Sequence, residues 1–125
     1  IKQLSPHDAK ILTVFSKKSQ LPICHIRKYI STEKQSFSTV DSNVYLSKDF
    51  PSLKQNQLSL TSLDRAALIK ISFTEWLTDD TKYDAIKELS GIDTLNKQIG
   101  WEQFIMSRGI ARITPLGKDF ISVCL

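Results

Sequence analysis

The stretch RGIARITPLGKDFISVCL, residues 108–125, restricts the fold more than any other part of the chain. A β-branched extended segment runs into Thr114 and Pro115. Threonine suits a helix N-cap, and proline suits the first helical position, where its missing N–H is no loss and its φ is already helical. An amphipathic helix follows, with Ile110, Ile113, Phe120, Ile121 and Cys124 as candidate packing residues. A strand fed directly into a capped helix is either architecture that ties other helices to a sheet or a device for gripping DNA through Arg108 and Arg112.

The same helix-start device stands near the beginning. In LSPHDAKILTVFSKK, Ser5 is the candidate N-cap, Pro6 the first helical residue, and Asp8 an acid at the positive helix end. Ala9, Leu12 and Phe15, with Ile11 beside them, form the apolar face. LPICHIRKYIS alternates Cys24, Ile26 and Ile30 with His25, Arg27 and Tyr29, which predicts a strand. The Ser/Thr-rich TEKQSFSTVDSN has no period and predicts a loop. Leu53, Leu60, Leu63 and Ala67, with Leu68 next in line, predict a second long helix starting after Pro51-Ser52. Ile69, Ile71 and Phe73 then alternate with Lys70 and Ser72 as a strand. A third helix is expected between Asp79-Asp80 and Gly91. An extended segment over WEQFIMSRGIARIT is expected to break at a turn at Arg108-Gly109.

The order predicts an α+β fold over residues 1–125, read as a single winged-helix-like domain. Three to four helices pack on a small antiparallel sheet, with the strand after the 52–67 helix pairing with the last strand. The connection between those strands is too long for a simple wing, so a helix is inserted there. A start at Ile1 rather than Met suggests a fragment of a longer chain.

Composition excludes several classes. The 125 residues are 41% hydrophobic and 24% charged, ordinary for a globular domain. The longest apolar runs are far below the ~20 residues needed to span a bilayer, so no membrane role is expected. Two cysteines a hundred positions apart fit neither a disulfide framework nor a zinc site. They are expected to be buried thiols in a reducing cytoplasm. The +4 net charge is uneven: residues 1–74 carry +6 and residues 75–125 carry −2. The basic part permits contact with phosphates.

Three of these segments together resemble the abortive infection alpha (Abi-alpha) family: LSPHDAKILTVFSKK, LTSLDRAALIKIS and GIARITPLGKDFISVCL. Leu63, Arg65, Leu68 and Ile69 match its mid-chain pattern L-x-R-L-G-L-I. Thr114, Gly117 and Phe120 match its closing pattern I-x-L-T-x-F-G-x-x-F, with Ile113 in the leucine slot. The chain departs at Ala66-Ala67, where the family tends to have Leu-Gly, and at Leu116, where it has Phe. The resemblance implies a bacterial phage-resistance context and hands over no catalytic residues.

No catalytic constellation emerges from the residues themselves. His7 and Asp8 are adjacent and so do not face each other on a helix. There is no nucleophile with a matching histidine motif and no glycine-rich phosphate loop, so neither an enzyme activity nor a cofactor nor a small-molecule substrate is expected. A DNA-binding reading would use the polar side of the 52–67 helix, through Lys54, Gln57, Thr61, Ser62 and Arg65, with Gln55, Asn56 and Ser59 also on the solvent side. It would add Arg108 at a wing-tip turn and Arg112 beyond it. One Lys and one Arg against Asp64 is thin for a phosphate-binding helix. The expected function is a non-enzymatic interaction domain that binds a protein partner or itself, with duplex DNA as the alternative. Trp76 and Trp101, with Phe104, Ile105 and Met106, either form a partner surface or close the core under the insertion.

Overall fold

The computed structural model describes residues 4–125. In chain order the elements are α1 (Pro6–Val14), β1 (Gln20–Tyr29), β2 (Phe37–Val44), α2 (Leu53–Arg65), β3 (Ile69–Ser72), a 3-10 turn (Asp80–Tyr83), α3 (Asp84–Ser90), α4 (Ile92–Ile99), β4 (Phe104–Ile113) and α5 (Pro115–Cys124). The strands form one antiparallel sheet in the order β2-β1-β4-β3. The α+β class, the pairing of β3 with β4 and the helical insertion between them are as the sequence predicts. The described residues hold five α-helices rather than three to four.

The helix starts follow from local chemistry. Ser5 accepts a hydrogen bond from the Asp8 N–H while Asp8 accepts from the Ser5 N–H, a reciprocal capping box with Pro6 just inside. Thr114 Oγ1 accepts from the Gly117 N–H at 3.0 Å, again with proline following. Gly91, at φ 71, ends α3 in the left-handed conformation that glycine adopts without strain.

Both faces of the sheet are covered. On one side Leu21, Ile23 and Ala111 meet Ile11, Leu12, Phe15, Leu60 and Leu63 from α1 and α2, and Ile113, Phe120 and Ile121 pack against the same cluster. On the other side Cys24, Ile26 and Val44 meet Tyr83, Ile86 and Ile92 from the insertion. The period of two in β1 therefore divides one strand between two cores.

Asn56 was expected at the surface, and Ser59 with it; both are buried. Asn56 Nδ2 donates to the Tyr45 carbonyl at 2.7 Å and the Phe50 carbonyl at 2.8 Å. Its Oδ1 lies 2.8 Å from His7 Nε2. Because both carbonyls need the amide as donor, Oδ1 is an acceptor and His7 carries its proton on Nε2. One side chain thus joins α1, α2 and the 45–50 connection.

Four further expectations are corrected. Phe37–Val44 is a strand, not a loop. It forms the outer edge of the sheet, and Phe37 to Val40 are exposed, so it needs no apolar alternation. Arg108-Gly109 is not a turn: β4 runs unbroken through it, with Arg108 opposite Cys24 and Gly109 opposite Ile23. Gly109 is there because a Cβ would lie 2.5 Å from the Phe73 ring and 2.6 Å from the Ser72 carbonyl oxygen. Cys24 is buried as expected, whereas Cys124 is exposed. Ile30, assigned to the buried side of its strand, is exposed at the end of the hairpin.

Candidate functional site

The candidate residues on α2 divide into two groups. Gln57 is engaged within the chain, donating from Nε2 to the Ser42 carbonyl at 2.9 Å and lying 3.4 Å from Asp41 Oδ1. Thr61 Oγ1 donates to the Gln57 carbonyl at 2.8 Å, and Ser62 is half-buried. Lys54 and Arg65 are exposed. Steps of four, three and four residues separate Lys54, Leu58, Thr61 and Arg65, so these four line one stripe of the helix. Leu58, 62% exposed, sits in the middle of that stripe.

Arg108 and Arg112, the two residues read as free, are both ion-paired. They are four apart on β4 and so project from one face of the sheet. Arg108 pairs with Asp80, and its guanidinium lies 5.8 Å from the Trp76 ring centroid and 5.9 Å from that of Tyr83. Arg112 Nη1 is 2.5 Å from Glu75 Oε2. Both carboxylates come from the connection that leaves β3, so the acidic segment supplies counter-charges to the basic strand beneath it. All four side chains are partly exposed, so each pair contributes at most about 1 kcal/mol. No local sequence signal announces either contact, because each spans more than 25 positions.

The insertion is fastened by side chains that sequence reading did not single out. Tyr83 Oη donates to the Gly109 carbonyl at 2.8 Å and accepts from the Leu77 N–H at 3.0 Å. Burial pushes the Tyr83 phenol pKa above its ordinary value, which keeps it protonated as a donor. Asn96 behaves as a stand-in strand residue, donating to the Phe104 carbonyl and accepting from the Phe104 N–H, both at 2.9 Å. Asp79 caps the 3-10 turn by accepting from the Thr81 N–H and hydroxyl, as its place at a helix start suggested. The question of the flanking aromatics has a divided answer. Phe104 and Met106 pack on the second core, whereas Trp76 is half out in solvent.

Between the insertion and β4 lies a cleft of about 410 Å³. Tyr83, Ile92, Phe104 and Met106 give it apolar walls, and Asp80, Asp84, Asp93 and Glu102 outnumber Lys87 and Arg108 around them. Beyond it the insertion leaves Leu89, Leu95 and Ile99 exposed, the last two on the same side of α4. Among the described residues no group of three or more His, Cys, Asp or Glu is placed to hold a metal ion, and no helix is long and apolar enough to cross a membrane.

The abortive infection alpha family matches residues 1–124. The chain belongs to that family. This places it among proteins described by abortive infection, a phage-defence context. A solved structure of an uncharacterized protein from the marine bacterium Alcanivorax borkumensis SK2 is similar in fold, with a TM-score of 0.50 at 18% identity, over 96% of this chain and 85% of that one. No curated protein matches.

The geometry explains the motifs that carry the family resemblance. The L-x-R-L-G-L-I segment is the end of α2. Leu68 N–H reaches the Leu63 carbonyl and Ala67 N–H the Asp64 carbonyl, both at 3.0 Å, the paired bonds of a Schellman cap. Ala67, in the glycine slot, has φ 61. The closing motif docks on this cap: Thr114 N–H donates to the Leu68 carbonyl at 3.1 Å and Thr114 Oγ1 to the Ala67 carbonyl at 2.6 Å. Gly117 follows because a Cβ there would sit 2.1 Å from the Leu68 carbonyl oxygen. The two family motifs are therefore the halves of one joint.

Proposed function

We propose that this domain is a non-enzymatic interaction module of a phage-resistance protein, acting through contact with a protein partner or a second copy of itself. The observation that carries the reading is the inserted segment. It turns Leu89, Leu95, Ile99 and Trp76 outward while its own Asp80 and Glu75 occupy the arginines a DNA reader would use. Apolar side chains exposed together on one side of a helix, as Leu95 and Ile99 are on α4, favour a protein-facing surface. An acidic segment over the last strand also repels a phosphate backbone from that side.

The test is Leu95→Glu combined with Ile99→Glu. In the native protein, light scattering across a concentration series should report self-association, or cross-linking in phage-challenged cells should capture a bound partner. The double variant should lose this contact and keep its circular dichroism. A native protein that is monomeric at all concentrations and captures nothing would refute the reading.

Duplex DNA binding through the 52–67 helix is a second reading, favoured by the exposed Lys54 and Arg65 on one stripe. It requires affinity that falls steeply with salt and weakens in Arg65→Ala.

A further inference from the structure

A smaller cavity, of about 230 Å³, lies beside β3 and the C-terminal part of β4, lined by Lys70, Ser72, Thr74, Glu75, Ile110 and Arg112, with Ile71. Lys70 and Arg112 are direct cross-strand partners of β3 and β4. Directly opposed side chains have Cβ atoms only about 5 Å apart, and like charges in that position destabilise a sheet. This pair therefore needs a negative group between its ends. Glu75 supplies one, but only to Arg112. Among the described residues Lys70 has no ion-pair partner. Two hydroxyls border the same space: Ser72 Oγ and Thr74 Oγ1 are 3.1 Å apart, and Ser72 Oγ accepts from the Thr74 N–H at 3.3 Å. A cation pair with adjacent hydroxyl donors is the recognition chemistry of a phosphoryl group.

We infer that this cavity binds a phosphate dianion, free or as a small monoester, and that Glu75 is its internal competitor. With Glu75 on Arg112 the arginine is occupied and the site carries a net charge of +1. When Glu75 swings out, Lys70 and Arg112 present +2 to a group carrying about −1.5 to −2 at neutral pH. The volume is below the roughly 300–1,000 Å³ of pockets that hold drug-sized ligands. It suits one phosphoryl group with a short substituent and excludes a nucleotide. The site shares no lining residue with the cleft beside α4 and does not rest on what the exposed α4 surface binds.

The test is calorimetric titration of the native protein, Glu75→Gln, and Glu75→Gln combined with Lys70→Gln, at constant ionic strength in chloride. The probes are inorganic phosphate, glycerol phosphate and dimethyl phosphate. Glu75→Gln should bind phosphate and glycerol phosphate saturably, at least five-fold tighter than the native protein. Adding Lys70→Gln should weaken that binding at least ten-fold, and dimethyl phosphate, a monoanion, should not bind. Backbone amide shifts confined to Ser72, Thr74 and Arg112 in the titrated Glu75→Gln protein place the ligand. The proposal is overturned by any of four results: no saturable binding to Glu75→Gln, equal affinity in native and Glu75→Gln proteins, survival of binding in the double variant, or dimethyl phosphate binding as tightly as phosphate. Both substituted positions are exposed, so an unchanged thermal transition confirms that each variant is folded.

Discussion

Ala67→Gly should stabilise this protein, although replacing alanine by glycine next to a helix normally does the reverse. Ala67 stands at φ 61 immediately after the α2 cap. An L-residue in that conformation brings Cβ close to its own carbonyl oxygen, a clash of roughly 1–2 kcal/mol. Glycine removes it. Against this, the freer unfolded chain of a glycine variant costs about 0.4–1 kcal/mol. Ala67 is exposed, so no packing is lost with its methyl group, and its N–H and carbonyl bonds involve backbone atoms that glycine retains. The net gain is about 0.5–1 kcal/mol, or about 2–4 °C in Tm for a domain of this size. Urea unfolding followed by circular dichroism measures it, with an unchanged slope showing that the unfolded state has not been altered in compactness. Ala66→Gly is the control. Its φ of −78 is an ordinary helical value, so glycine there should cost about 0.5–1 kcal/mol. If Ala67→Gly is neutral or destabilising, or if the two variants behave alike, the left-handed cap is not strained and the account of the joint is wrong.

Three further outcomes are expected. Gly117→Ala should lower stability by about 3 kcal/mol in urea titration, because its methyl would lie 2.1 Å from the Leu68 carbonyl oxygen, a backbone atom that cannot move without losing the Thr114 bond. Iodoacetamide at neutral pH should label one cysteine per native molecule, read by mass spectrometry. Cys124 is exposed, whereas burial pushes the Cys24 thiol up to about 12 and closes it to the reagent. Stability should fall as pH drops below about 6.5. His25, stacked on Phe73 at 3.5 Å, has its pKa lowered by burial and then by Arg27, so the unfolded chain takes up the proton first. The midpoint in urea should therefore depend less on pH between 6.5 and 5 in His25→Gln than in the native protein.

What could be read from the sequence was what local chemistry decides. Ser5-Pro6-Asp8, Thr114-Pro115, Asp79 and Gly91 each act within four residues, and each does in the structure what its type suggests. What could not be read was decided across space. β2 lacks a core-facing half over its first four residues, so its strand character comes from pairing with β1 and leaves no period. Asn56 looks like one more polar surface residue until the Tyr45 and Phe50 carbonyls are brought to it. Gly109 was misread for a specific reason. Glycine serves both positive φ and close approach, and only the position of the Phe73 ring tells which. The two arginines seemed free because Asp80 and Glu75 are remote in sequence.

The joint between α2 and α5 also bears on where activity can reside. A polar atom already satisfied by the chain's own backbone has nothing left to offer a ligand. Thr114 uses its N–H and its hydroxyl on Leu68, Ala67 and Gly117. Leu68 and Ala67 use their N–H groups in the cap and their carbonyls on Thr114. Gly117 is fixed by a clash rather than by chemistry. Apart from the exposed Arg65, the residues that carry the family resemblance therefore hold the last strand and helix onto the body and have no free polar group to offer a substrate or partner. Side chains with unspent chemistry lie elsewhere: Lys70 on β3, Leu58 and Arg65 on α2, and Leu95 and Ile99 on α4. Substitutions at the joint should therefore lower activity only as far as they lower stability. A substitution that abolishes activity while leaving the urea midpoint unchanged should map to one of those three surfaces, and such a variant at Thr114 or Gly117 would contradict the argument.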